Sequence, residues 1–243
     1  MNVGAWIARF VAVEGDGPRR ALWAEALGAG PATEAAAVLD ALVRQAALRD
    51  VGAGLALRAL ADLEGMARRV GPGRMADLLA AARDRDLDAA LLVLEHPGRP
   101  RRGEELGPPP DPAVEAHTLG HRKTAARGPR TPLLERLLTD PDPRVVRELL
   151  RNPRLREAEV LGLASRRPCP EAVFWHLARA PRWIARPAVQ RAVIRNPCAP
   201  PRLALVLLVP QPDPFLAEVA NDEGLHPAVR DGALRILGWR RRA

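Results

Sequence analysis

PRVVRELLRNP, residues 143–153, predicts a repeated helical architecture, because the chain repeats it as PAVQRAVIRNP at residues 187–197. A third, shorter copy, PAVRDGALR, spans residues 227–235. All three copies carry Pro first, Val third and Arg ninth, and they begin 44 and 40 residues apart. A period of this length is typical of stacked helical repeats.

Each copy has the pattern of a short amphipathic helix that begins at its proline, where the missing N–H costs no intrahelical hydrogen bond. In residues 143–151 the predicted apolar side comprises Val145, Val146, Leu149 and Leu150, and the predicted polar side Arg144, Arg147, Glu148 and Arg151. A helix of two or three turns is marginal alone and must pack against neighbours. We therefore predict that residues 131–237 form stacked short helices without a β-strand.

The rest of the chain also follows a helical period, and alternating strand patterns are missing. Residues 1–95 predict an N-terminal helical domain, with Thr33 as the N-cap of its third helix. Its five predicted helices are 2–13, 18–28, 33–48, 52–70 and 73–94. Residues 96–112 are rich in proline, glycine and charge and predict a linker. Residues 113–243 then form the predicted repeat array, and the predicted fold class is all-α.

The segments LLTDPDPRVVRELLRNPRL, LASRRPCPEAV and VIRNPCAPPRLALVLL resemble the leucine-rich repeat variant and HEAT-like repeat families of bacteria. The shared feature is a run of short helices punctuated by Asp-Pro and Asn-Pro, over about residues 131–237. The resemblance implies a right-handed α-solenoid. It also implies a binding scaffold more than an enzyme, since such repeats serve mostly in binding.

Composition favours an anionic partner, because the net charge is +8 and the isoelectric point is near 11.1. Only two cysteines are present, which favours a reduced, cytoplasmic setting over a disulfide framework. The apolar run at residues 203–209 is far shorter than the about 20 residues that a membrane helix needs. We therefore expect no membrane insertion.

Motifs for catalysis are missing, so we predict no catalytic residue and no cofactor. Ser165 is the only serine, and its surroundings, LASRR, do not form a nucleophile elbow. His117 and His121 stand four residues apart close to Glu115, but Thr118 occupies the place of the glutamate in the H-E-x-x-H zinc motif. Solvated histidines are the favoured interpretation, and no metal site is predicted.

Cys169 and Cys198 lie at equivalent positions of two repeat turns, 29 residues apart. Equivalent positions in a helical stack are about 10 Å apart, which exceeds the reach of a disulfide. We predict that both thiols fill space in the repeat turns.

Five arginines form the predicted binding surface. Arg151, Arg195 and Arg235 are the ninth residues of the three copies, and Arg147 and Arg191 lie one helical turn earlier. Stacking would align them as a basic stripe. A solvated helix face, or arginines at helix C-termini, explains the same pattern without a ligand.

Trp175 and Trp183 complete the predicted binding surface, although core filling is the simpler role. The segment PRWIARPAVQRAV is faintly similar to a helix start in HEAT-like alkylpurine DNA glycosylases, which surround a lesion with tryptophans and an aspartate. No aspartate lies between Asp142 and Asp213, and Glu171 is the only nearby carboxylate. This departure from the family pattern argues against glycosylase activity.

Two functions remain open from the sequence. The favoured one is a non-enzymatic α-helical repeat scaffold or adaptor that binds a protein partner. The alternative is a nucleic-acid-binding HEAT-like repeat protein that uses the arginine stripe, with an alkylpurine DNA glycosylase-like activity as its further variant. Single-strand binders stack bases on several exposed rings, and three Phe, five Trp and no Tyr supply few of them.

Overall fold

The structure, a computed structural model, describes residues 3–100 and 111–243. Every regular element in these ranges is an α-helix, so the predicted all-α class is confirmed. The eighteen helices are α1 (Val3–Ala12), α2 (Asp16–Gly28), α3 (Ala32–Ala47), α4 (Val51–Ala59), α5 (Leu63–Val70), α6 (Pro72–Asp84), α7 (Asp88–Leu94), α8 (Pro112–Glu115), α9 (Leu119–Arg127), α10 (Pro132–Leu137), α11 (Pro143–Arg151), α12 (Glu157–Ser165), α13 (Glu171–Ala178), α14 (Pro181–Ile184), α15 (Pro187–Ile194), α16 (Pro201–Leu208), α17 (Asp213–Asn221) and α18 (Pro227–Arg241).

The chain divides into two compact units, which differ from the predicted domains. Met1–Gly98 and Pro201–Ala243 form one unit, named here the N/C unit. Arg99–Pro200 forms the other, named here the middle unit. Residues 201–243, predicted as the end of the repeat array, thus belong with the N-terminal helices. Most of the predicted linker, residues 101–110, lies outside the described residues.

In the N/C unit, α3 packs against α4, α6 and α7. Helix α16 packs against α4, α7 and α18, which explains why its sequence is apolar on every side. The guanidinium of Arg202 at the start of α16 donates to the carbonyl oxygens of Val93 and Leu94 at 3.1 and 2.9 Å. These contacts hold residues 201–243 in the N/C unit.

Two of the five predicted N-terminal helices are each split in the structure. The predicted helix 52–70 breaks where Asp62 caps α5 by accepting from Gly65 N at 3.1 Å. The predicted helix 73–94 breaks at Asp86, whose φ is 52°. Thr33 is not an N-cap, since Pro31 takes that position and Thr33 lies inside α3.

Short helices occupy residues 131–237 without a strand, as predicted, and no helix runs through Pro168 or Pro181. Helices α10, α11, α14, α15, α16 and α18 each have a proline in their first turn. This placement confirms that the prolines mark helix starts.

Two asparagines explain why the repeated stretch ends in Arg-Asn-Pro. Helix α11 packs on α9, and α15 packs on α12. The Asn152 side chain after α11 donates to Ala126 O at 2.8 Å and to Gly128 O at 3.0 Å. Asn196 after α15 donates in the same way to Ala164 O and Arg166 O at 2.8 and 2.9 Å. Each asparagine satisfies carbonyls at the end of the helix on which its own helix packs, so in both copies one amide ties a pair of helices together.

Within the described ranges, no helix is both long and apolar enough to cross a membrane.

Candidate anion-binding cleft

A cleft of about 390 Å³ lies in the middle unit between α11, α13 and α14. Its polar lining consists of four arginines, named here the cleft arginines, and one histidine: Arg147, Arg151, Arg179, Arg182 and His176. Leu150, Ala180 and Pro181 supply an apolar wall.

The cleft forms because two basic helix faces meet. Arg147 and Arg151 are one turn apart on α11, so both project from the same side. His176 lies in the last turn of α13, and Arg179 is the C-cap of that helix. Helix α11 packs directly against α13, which brings the two pairs together.

Glu148 lies beside this cluster and is buried, with 2% of its side chain exposed. Its Oε2 accepts from Arg127 Nε at 2.8 Å, and its Oε1 accepts from Arg147 Nη2 at 2.9 Å. Arg151 Nη1 is 3.7 Å from Oε2. The sequence predicted a solvent-facing glutamate, but charge pairing with three guanidinium groups makes its burial tolerable.

The hydrogen bond from Arg127, followed by that from Arg147, lowers the pKa of Glu148 from 4.5 to about 2 against the opposing effect of burial. The carboxylate therefore stays ionised and fixes the arginines that contact it. Such charge-assisted hydrogen bonds are the strong ones in proteins.

We expect Glu148→Gln to lower the free energy of unfolding by about 2 kcal/mol at pH 7. Because the folded pKa is depressed, the stabilisation is complete above pH 4.5 and is lost as the pH falls towards about 2. Urea denaturation of the wild-type and Glu148→Gln proteins between pH 7 and pH 3 measures the gap between their free energies of unfolding, which should narrow below pH 4.5. Glu115→Gln, at an exposed glutamate, is the control. A gap that does not change with pH would contradict this role of Glu148.

The surroundings of His176 disfavour its protonated form. Burial lowers its pKa below the usual 6.5, and the charges of Arg179, Arg147 and Arg151 lower it further, partly offset by Glu148. A neutral imidazole offers one N–H donor to the cleft.

The wall at α14 is held by Arg182 and Trp183. Both terminal nitrogens of Arg182 are 3.2 Å from Pro153 O, and its guanidinium lies 4.3 Å from the Trp183 ring centroid. Trp183 Nε1 donates to Leu150 O at 2.8 Å. These contacts connect α14 to the end of α11 and preserve the shape of the cleft.

The two tryptophans of the predicted binding surface are core side chains. Trp183 is 1% exposed and Trp175 is 7% exposed, with its Nε1 donating to Glu171 Oε1 at 3.1 Å. Neither ring offers an open face on which a base could stack. Both tryptophans are buried, contrary to the predicted binding surface, because the short helices need large side chains to fill the space between them.

The five arginines of the predicted stripe fall in three places. Arg147 and Arg151 line the cleft, and Arg191 and Arg195 are exposed on and just after α15, which packs against α12 and α14. Arg235 lies in the N/C unit, where its guanidinium donates to Asp88 O and lies 5.9 Å from the Trp239 ring centroid. Only the first pair belongs to the cleft.

The histidine and cysteine candidates lie elsewhere. His117 and His121 have ring centroids 4.5 Å apart, but Thr118 between them caps α9, so they do not share a helix. Among the residues that the structure describes, no group of three His, Cys, Asp or Glu side chains could hold a metal. Cys169 and Cys198 are buried free thiols, and burial raises the pKa of Cys169 to about 11, where it is unreactive at neutral pH.

Sequence reasoning missed Arg127, His176, Arg179 and Arg182 as members of this site. The segment HLARAPR at residues 176–182 contains three of them and could have drawn attention as a basic cluster next to α13. Arg127 gave no signal, because it is 21 residues from Glu148 and meets it only through the packing of α9 on α11.

Comparisons of the chain with family models, with curated proteins and with solved structures find no match.

Proposed function

We propose that the protein is a non-enzymatic α-helical repeat scaffold whose middle unit binds an acidic segment of a protein partner in the cleft. The observation that carries the proposal is the convergence of the cleft arginines and His176 on one concave surface. The right-handed α-solenoid implied by the repeat resemblance is part of the same proposal.

The charge of the cleft favours an anion. Arg147 and Arg151 bring two positive charges to the cleft, and Glu148, the carboxylate that they contact, is shared with Arg127. Arginine forks match carboxylate geometry and bind it with two parallel hydrogen bonds. An excess of cations on a concave surface also attracts an acidic ligand over a distance.

A protein partner fits this site better than a nucleic acid does. Nucleic-acid affinity depends on several phosphates bound along an extended basic track. The cleft is local, with a volume of about 390 Å³, and Trp175 and Trp183 are buried where a single-strand binder would expose rings.

Binding of a labelled Asp-rich peptide, with an Asn-rich peptide as the neutral control, tests the proposal. We expect Arg147→Gln with Arg151→Gln to weaken binding about tenfold or more, since each removes a charge-assisted contact. The matched double variant, Arg191→Gln with Arg195→Gln, should change it less than about twofold. Fluorescence anisotropy at low salt measures both, and circular dichroism checks that each variant is folded. Equal losses in the two double variants would overturn the assignment to the cleft.

Duplex DNA in the same assay tests the alternative. If Arg147, Arg151, Arg191 and Arg195 formed one phosphate-binding surface, replacing all four with Gln would reduce the log–log salt slope by about 3–4 units. Our proposal expects weak DNA binding, lost near physiological salt, with a slope that the four substitutions leave unchanged. A steep slope that collapses in the quadruple variant would establish nucleic-acid binding instead.

A further inference from the structure

We propose that the cleft recognises a phosphorylated side chain of the partner, in preference to an unmodified acidic residue. This inference rests on the proposed function and names the chemical group that the cleft selects.

The first argument is the direction of the donors. Arg147 and Arg151 come from α11 and His176 from the end of α13, while the guanidinium of Arg182 on α14 already donates to the carbonyl oxygens of Asn152, Pro153 and Leu155. A carboxylate accepts through two coplanar oxygens, whereas a phosphate monoester presents three terminal oxygens around a tetrahedral centre. Donors that approach from two different helices match the tetrahedral group more fully.

The second argument is the surplus of charge. Glu148 accepts its shortest contact from Arg127, at 2.8 Å, while Arg151 is 3.7 Å away and 68% exposed. Arg147 is 40% exposed although it contacts the same carboxylate. Glu148 is thus shared among Arg127, Arg147 and Arg151, and its single negative charge leaves these three guanidinium groups with a net positive charge that suits a ligand carrying nearly two negative charges at neutral pH.

The third argument is the position of His176. On α11, its charged neighbours are Arg147, Arg151 and Glu148. Arg179 follows it at the C-cap of α13, and Arg182 lines the same cleft from α14. A bound dianion would offset the arginines that disfavour the imidazolium. His176 would then take up a proton and donate a second hydrogen bond, so that the ligand strengthens its own site.

The fourth argument is size. A volume of about 390 Å³ lies at the small end of the range for ligand sites, enough for one phosphorylated side chain and its adjoining backbone. The apolar wall of Leu150, Ala180 and Pro181 offers contact to a neighbouring side chain of the same peptide. A free inorganic ion would leave this wall unused.

The test compares four probes on the full chain by isothermal titration calorimetry: a phosphoserine peptide, the same peptide with Ser, the same peptide with Asp, and inorganic phosphate. We expect the phosphoserine peptide to bind about tenfold or more tightly than the Asp peptide. The double variant Arg147→Gln with Arg151→Gln should remove this preference, and Arg191→Gln with Arg195→Gln should keep it.

Each other outcome has a distinct meaning. Equal affinity for the phosphoserine and Asp peptides overturns this inference and leaves the proposed function standing. Binding of neither peptide overturns both. If inorganic phosphate binds as tightly as the phosphoserine peptide, the ligand is a free phosphate, and recognition of a modified partner is overturned. The same inference is overturned if duplex DNA binds more tightly than the phosphoserine peptide and the Arg147→Gln, Arg151→Gln variant abolishes that binding.

A second readout follows the imidazole of His176 by NMR, with His176→Gln used to assign its signal among the five histidines. We expect the His176 pKa to lie below 6.5 in the free protein and to rise by about one unit when the phosphoserine peptide saturates the site. A pKa that does not move would show that the ligand binds elsewhere and would overturn the inference, even if the peptide preference were observed.

Discussion

Leu205→Asp should lower the free energy of unfolding by more than about 4 kcal/mol, because it removes a buried leucine side chain and places a carboxylate where water reaches it poorly. Leu205 is 3% exposed on α16 and packs against Gly232 of α18, where no side chain would fit beside it. The substitution adds charge and removes close packing at once. Leu207→Asp, at a residue 2% exposed on the same helix, should have a similar effect.

Urea denaturation followed by circular dichroism measures this loss. The matched control is Leu234→Asp on α18, where the leucine is 54% exposed and the change should stay within about 0.5 kcal/mol. Midpoints for Leu205→Asp and Leu234→Asp that agree within error would show that α16 is not a buried helix of the N/C unit.

Asn152→Ala and Asn196→Ala should each lower the free energy of unfolding by about 3 kcal/mol. Each buried amide donates to two carbonyls of the partner helix, and its oxygen accepts from the backbone N–H two residues later, at Arg154 or Cys198. Alanine leaves these groups buried without a partner, at about 1–3 kcal/mol for each group that water cannot reach.

The control is Asn221→Ala, since the exposed Asn221 amide donates only within its own helix, to Ala217 O. Its loss should cost less than about 0.5 kcal/mol. Asn152→Asp separates the two roles of the amide, because aspartate keeps the acceptor for Arg154 N but cannot donate to Ala126 O and Gly128 O. It should therefore be as destabilising as alanine. Thermal melts of the four variants test this, and a wild-type melt for Asn196→Ala would refute the helix-pair model.

Much of the local structure follows from the sequence. Proline at the first turn and the spacing of Val145, Val146 and Leu149 predict α11 and its buried face, and both are as predicted. The apolar run in α16 predicts a buried helix for the same reason. These features depend on backbone geometry and side-chain periodicity within one helix, which a single sequence contains.

The cleft could be predicted only in part. Arg147 and Arg151 were named because they share a helix face and a repeat position. Asn152 and Asn196 recur in the repeated Arg-Asn-Pro, but nothing in the sequence indicated that they bind carbonyls of a partner helix. His176 and Arg179 join the site only through the packing of α13 on α11.

The sequence by itself determined the helical class, the positions of the prolines at helix starts and the apolar faces, because these are properties of neighbouring residues. Tertiary structure alone decided that Pro201–Ala243 belongs with Met1–Gly98, and that Glu148 is buried beside Arg127. Arg202 and the Val93 carbonyl are 109 residues apart in the chain, and a hydrogen bond at that separation leaves no periodic trace. Such contacts form only when whole apolar faces pack, so the physical reason is that burial selects partners by shape and charge across the fold, independently of their order in the sequence.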